Sequence, residues 1–267
     1  MTFMNKLMSL EKAIALVPDG ALLGLGGNTL NRAPMAAVME LARQKKQGLR
    51  LVKTAGGMDV DLLCLAGCVK SVDAGFISFE TEYSLCQNYR KAVQEGTVKA
   101  NEHACYTVIS ALRAASYGIP FMPVHGLRES GLVAANDYFA TVNDPFSGET
   151  LNAVKAIQPD VSIVHAQIAD EQGNALIQGP KYEDVLLSRA SKTVIVTTER
   201  IVGNDYFVTS GVKANIPHFL VGAVVCAPRG AAPGACHGAY GVSGGDIRSY
   251  LSLVSAGELD AWLKRRP

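Results

Sequence analysis

Between residues 21 and 125, short apolar runs alternate with amphipathic stretches, and few folds accept that rhythm. Ala21 to Leu25, "LRLVKT" (49–54), "VKSVDAGFISF" (69–79), "TVKAN" (97–101) and "FMPVH" (121–125) have the length and apolar content of buried strands. Met35, Val38, Met39 and Ala42 fall at i, i+3, i+4 and i+7, which predicts a helix opened by Pro34 and closed by "RQKKQG". Further helices are predicted over "DVDLLCLAG" (59–67), "SLCQNYRKAVQEG" (84–96) and from Cys105 to Gly118. Strands resume at 161–169, 174–179, 193–199 and 218–228, with helices over 182–190 and beyond Asp246. Strands separated by helices in this order imply an α/β fold, a mostly parallel sheet flanked by helices. The 267 residues are read as one domain spanning 1–267. From Gly126 to Leu151 the periodicity fades, and that stretch is read as a long functional or interface loop.

Charge excludes one class of partner. Lys plus Arg total 25 against 24 Asp plus Glu, a net charge of +1, so no basic face for nucleic acid is expected. "MTFMNKLMSLEKAIALVPDG" reads as an amphipathic helix and not as a signal peptide. No apolar run approaches the roughly 18 residues of a membrane span, so no membrane partner is expected. The six cysteines are scattered, which fits reduced thiols and a cytoplasmic location. Cys64 and Cys68 are read as buried thiols on one helix face, and no metal site is expected.

In parallel sheets ligands sit beyond the carboxyl ends of the strands. Gly24-Leu25-Gly26-Gly27-Asn28, Gly56-Gly57, Ser78 to Glu80, Glu102 and His125 all occupy such ends, which predicts a shared pocket. Glycines there leave main-chain N–H groups unobstructed, and such donors attract a phosphate, a carboxylate or a developing oxyanion. A dinucleotide turn needs a third glycine and an acid closing the next strand, but Asn28-Thr29 and Lys53-Thr54 stand there. A P-loop needs Gly-Lys-Ser/Thr, which is absent here. Two readings remain: a tight turn with no ligand, or an amide-lined loop for an acyl or CoA group.

Over nearly its whole length the chain resembles the α (A) subunit of class I CoA-transferases, particularly the glutaconate branch. The resemblance is carried by "GLGG", "KTAGGMDVDLLCLAGCVKSVDAGFISFE", "NYRKAVQEGTVKANE", "SALRAASYGIPFMPV", "HAQIADEQGNALIQG" and "PRGAAPGACHGAYGVSGGD". It implies the CoA-transferase subunit fold and a β (B) subunit partner in a heterodimer or heterotetramer. It also implies a nucleophilic glutamate supplied by that partner, acyl-CoA and carboxylic acid substrates, and no permanently bound cofactor. The amides of Gly24, Gly26 and Gly27 would then face the acyl oxygen. Asn28, Glu80 and Gly126 would line the acyl or CoA site, and Arg32 would meet a substrate carboxylate. Glu102 would take a supporting or base role.

The sequence departs from the family in two places. "HGLRESG" (125–131) replaces a glycine-rich specificity loop, and Glu129 lacks the serine and asparagine that surround the β-chain nucleophile. A CoA-thioester or ring-opening C–C hydrolase subunit, with Glu102 as a base buried enough to raise its pKa, is the alternative enzyme. A non-catalytic acyl-CoA-binding protein is the third reading. His165 reads as a satisfied core histidine, His103 as facing away from Glu102, His237 as a pocket-lining residue and Arg90 as an ion-pair partner.

Overall fold

The computed structural model describes residues 5–266, so Met1 to Met4 of the predicted first helix lie outside the described residues. The strands are β1 (Leu22–Leu25), β2 (Leu49–Gly56), β3 (Val69–Ile77), β4 (Lys99–Glu102), β5 (Phe121–Val124) and β6 (Phe139–Asn143). They continue as β7 (Thr150–Lys155), β8 (Val161–Asp170), β9 (Ala175–Leu176), β10 (Thr193–Val202) and β11 (Val221–Cys226). Helices α1 (Leu10–Ala15), α2 (Met35–Arg43), α3 (Met58–Leu65), α4 (Glu80–Tyr83), α5 (Gln87–Gln94) and α6 (Cys105–Ser116) fall in the first half. Then come α7 (Leu132–Ala135), α8 (Asp184–Ala190), α9 (Tyr206–Thr209), α10 (Gly244–Leu251) and α11 (Ala256–Leu263).

The main sheet runs β11-β10-β8-β1-β2-β3-β4, with β9 antiparallel on β8 and every other pair parallel. β8 and β1 sit in its middle, and all ten residues of β8 are buried. Alternation splits the core in two. Leu51, Ile163 and Ile195 face a core closed by α1, α2, α3, α5, α10 and α11. Val52, Val164 and Val194 face the other, closed by α6, α8 and a second sheet.

That second sheet departs from the sequence expectation. β5, expected as a fifth parallel strand, pairs antiparallel with β7, which pairs with β6, in a separate three-stranded sheet. Pro123 lacks a ladder donor and is accommodated on an edge strand, and β5 is an edge of its sheet. The stretch 126–151, expected to be structureless, holds α7, β6 and a tight turn in which Asp144 binds the amides of Phe146 and Gly148. Its strands are mostly exposed, so they carry no apolar periodicity.

Candidate active site

The glycine turn between β1 and α2 is used up by the chain itself. Gly26 N–H donates to the Ile163 carbonyl at 2.9 Å, and Gly27 N–H donates to Asp184 Oδ1 at 2.9 Å. The Gly26 carbonyl accepts from Lys53 Nζ at 2.5 Å. The expectation that the Gly26 and Gly27 amides stand free for an acyl oxygen is therefore corrected. Both donors are buried and already bonded. Gly24 lies within β1, against Leu187. What comes so close to the glycine backbone is α8. A Cβ on Gly26 would lie 2.2 Å from Asp184 Oδ1, and one on Gly24 would lie 2.5 Å from Leu187.

Two buried ion pairs fix this turn. Lys53 Nζ lies 2.6 Å from Asp59 Oδ2, and Asp59 Oδ1 accepts from the Gly57 and Val60 amides. Arg32 donates to Asp184 Oδ2 at 2.6 Å and to the carbonyls of His165 and Pro180. Arg32 is buried, so its assignment to a substrate carboxylate is also corrected: its guanidinium is held by Asp184. Burying charges this completely is tolerated only with partners of good geometry, which both pairs have. Asn28 and Asn31 close a short turn by exchanging main-chain hydrogen bonds. The half-buried Asn28 carboxamide has no hydrogen-bond partner among the described residues.

The carboxyl ends of β1 to β4 do meet along one edge. A Cβ on Gly57 would lie 3.1 Å from the Ser78 carbonyl and 3.4 Å from that of Thr29. Glu80 is exposed, opens α4 with φ +65°, and bonds Ser78 Oγ through its amide. Glu102 ends β4 beside Ala74, which pairs with Lys53, so these three side chains share one face. Glu102 is exposed, and its carbonyl accepts from Asn136 Nδ2 at 2.7 Å. The burial expected of Glu102 as a hydrolytic base is absent in this chain. His103 faces the opposite side, packed on Tyr138 and Phe139.

Gly126 follows the strand that left the sheet, yet it reaches this edge. A Cβ on it would lie 3.5 Å from Tyr106, the second residue of α6. Glu129 is exposed with φ +58°, and Arg128 pairs with Glu149 in the second sheet. Arg90 is exposed and makes no ion pair among the described residues.

Sequence reasoning missed three residues on the α6/α8 side. Glu183, just before α8, is buried with Thr54 at the end of β2 and Cys105 at the start of α6 around it. Burial pushes the Glu183 carboxyl up to about 7, and Lys53 opposes this only in part. The one available signal was an acidic pair, Glu183-Asp184, opening a helix after "GPKY".

A second buried cluster lies under the C-terminal loop. His165 contacts Thr197 Oγ1 at 2.9 Å and Glu199 Oε1 at 2.8 Å. Tyr240 donates to Glu199 Oε1 at 2.5 Å, and the Arg229 amide donates to Oε2. Desolvation holds the His165 pKa below its ordinary value, the behaviour of a satisfied core histidine. His165, Glu199 and Cys236 offer ligand atoms within 4.8 Å of one another, but both Glu199 oxygens are already bonded. His237 and Tyr240 line an adjoining cavity of about 430 Å³ with Arg32 and Tyr182.

A parallel sheet whose polar groups converge on the carboxyl edge of its central strands defines an α/β enzyme chain of the acyl-handling kind. The chain belongs to the coenzyme A transferase family, whose model matches residues 7–227. It is 33% identical to the first of the two chains of glutaconate CoA-transferase from Acidaminococcus fermentans, over 98% of this chain and 87% of that one. The crystal structure of that organism's glutaconate CoA-transferase matches 97% of this chain and 88% of its own with a TM-score of 0.90 and 32% identity. The decarboxylase AibA/AibB is 36% identical, with a TM-score of 0.88 over 98% of each chain. The IpdA subunit of a cholesterol ring-cleaving hydrolase from Rhodococcus jostii is 32% identical over 85% of this chain and 80% of its own.

Proposed function

We propose that this chain is the α (A) subunit of a heteromeric CoA-transferase that moves CoA between an acyl-CoA and a carboxylic acid. The attacking glutamate comes from a β (B) subunit, in a heterodimer or heterotetramer. The observation that carries this reading is the state of the carboxylates at the strand ends. Asp59 and Asp184 are buried and locked to Lys53 and Arg32, while Glu80 and Glu102 lie on an exposed rim with no base or cation joined to them among the described residues. An open rim is what a site completed by a second chain presents.

In the proposed reaction a partner carboxylate attacks the thioester carbonyl and CoA leaves as thiolate, forming an acyl-glutamyl anhydride. The thiolate then attacks the glutamyl carbonyl, releasing the first acid. The acceptor carboxylate and the same thiolate repeat the exchange in reverse. CoA thioester is a substrate here, and no resident cofactor is invoked. Asn28, Glu80, Glu102 and Gly126 line the partner-facing rim, and Glu102 supports the acyl group electrostatically.

Co-expression with a candidate β chain, incubation with acyl-CoA, borohydride reduction and mass spectrometry test this. The reduced glutamate is expected on the partner; its appearance on Glu102 or Glu129 would contradict the assignment. The hydrolase and decarboxylase relatives supply the second reading, in which the same scaffold works without CoA transfer. Release of free CoA with no transfer to an acceptor acid would favour it.

A further inference from the structure

Two side-chain oxygens at the carboxyl end of β2 are buried with nothing to bond. Thr54 is 2% exposed and Glu183 is 7% exposed, and neither Thr54 Oγ1 nor Glu183 Oε1 has a hydrogen-bond partner. They do not bond each other, although the Thr54 N–H faces the Glu183 carboxyl. Folded chains rarely leave such atoms unpaired. Two together, at the end of a sheet where ligands bind, mark a place where an oxygen from outside completes the bonding.

The surroundings fix the chemistry of that oxygen. Thr54 points to the α6/α8 face, opposite Lys53, and Cys105 Sγ closes the flank by donating to the Thr54 carbonyl at 3.4 Å. The titratable groups facing Glu183 are Lys53 from β2, Cys105 from α6, and Asp184 and Tyr182 beside it in the chain. Lys53 is already paired with Asp59, and Asp184 with Arg32, so those four charges cancel. An ionised Glu183 would be the uncompensated charge. With the carboxyl raised to about 7, a large share of Glu183 is neutral acid near neutrality and carries an O–H donor.

We propose that Thr54 and Glu183 form the acyl-oxygen subsite of this chain, the Thr54 hydroxyl and the Glu183 carboxylic acid donating to a carbonyl or carboxyl oxygen of the substrate. The proposal rests on the CoA-transferase reading above. It gives to two side chains the role that the Gly26 and Gly27 amides, bonded internally, cannot fill. The subsite is proton-linked: substrate binding holds the proton on Glu183, and affinity falls as pH rises past neutrality.

The test uses the full chain assembled with its β partner, and butyryl-CoA as the probe. Carboxyl-13C glutamate is incorporated, and Glu183 is assigned by its loss in Glu183→Gln. Saturating probe is expected to raise the Glu183 titration midpoint by about one unit or more. Glu183→Gln, still a neutral donor, binds within about threefold of wild type and loses the pH dependence, while Thr54→Val and Glu183→Ala weaken binding about tenfold. A titration unmoved by saturating probe overturns the proposal. So does Glu183→Gln binding as weakly as Glu183→Ala while melting like wild type. If Glu183→Ala fails to fold, the wild-type titration and Glu183→Gln still decide. CoA exchange into butyrate, measured on the same samples, separates the two readings. Exchange with an unresponsive Glu183 overturns the subsite alone, a responsive Glu183 without exchange overturns the transferase reading alone, and failure of the probe to bind overturns both.

Discussion

Two turns at the same sheet edge differ in how completely they are bonded. At the end of β1 the Gly26 amide, the Gly26 carbonyl and the Gly27 amide all have partners, and Arg32 and Asp184 are locked together beneath them. At the end of β2, Thr54 Oγ1 and Glu183 Oε1 have none. The first turn looks like a ligand cradle in the sequence and is scaffold in the structure. The second has no motif to announce it, and it holds the unspent hydrogen-bonding capacity. Glycine therefore marks close approach of something, and only the bonding state tells whether that something is a ligand or the chain's own helix.

The largest effect should come from cutting the scaffold. Asp184→Ala strands Arg32 in the core and frees the Gly27 amide, and a loss of about 3–5 kcal/mol is expected in urea unfolding. A loss under about 1 kcal/mol would erase the distinction between the two turns.

The next effect is a pH dependence of stability arising from Glu183. Its carboxyl is raised from 4.5 to about 7, so the folded chain holds a proton that the unfolded chain gives up between those values. Stability from this group falls as pH climbs through that window and is flat above it, with a span of up to about 3 kcal/mol. Glu183→Gln removes the slope and leaves the variant more stable than wild type at pH 8. A parallel pH profile in the two proteins would show that Glu183 is not the uncompensated group.

Gly26→Ala sharpens the contrast from the packing side. Its Cβ would meet Asp184 Oδ1 at 2.2 Å, so a loss of about 1–3 kcal/mol is expected, while Gly57→Ala, at 3.1 Å from the Ser78 carbonyl, should cost less. Equal melting temperatures for these two variants would contradict the close approach of α8. The smallest effect is expected at Arg128→Ala, which breaks an exposed pair with Glu149 and should change stability by less than about 1 kcal/mol.

Much of the fold was legible because buried parallel strands and amphipathic helices write their periods into sequence. β1 to β4 and α2, α3, α5 and α6 all lie within the predicted stretches or within a residue or two of them. β6 was not legible, since its side chains are mostly exposed, and β5 was legible as a strand but not as a member of another sheet. The strand-end edge that gathers Asn28, Glu80 and Glu102 follows from alternation and parallel topology alone. The roles of Gly26, Gly27 and Arg32 did not follow. Their partner Asp184 is more than 150 residues away, and nothing local in the sequence says that α8 packs there. Thr54 and Glu183 were invisible for the same reason.

Amide hydrogen exchange at Gly26 and Gly27, followed by NMR with and without butyryl-CoA, tests the central claim most directly. Both amides are predicted to be strongly protected in the free chain and unchanged when the probe binds, because Ile163 and Asp184 already hold them. Rapid exchange in the free chain, giving way to protection only on adding the probe, would return the acyl oxygen to the glycine turn and contradict the account.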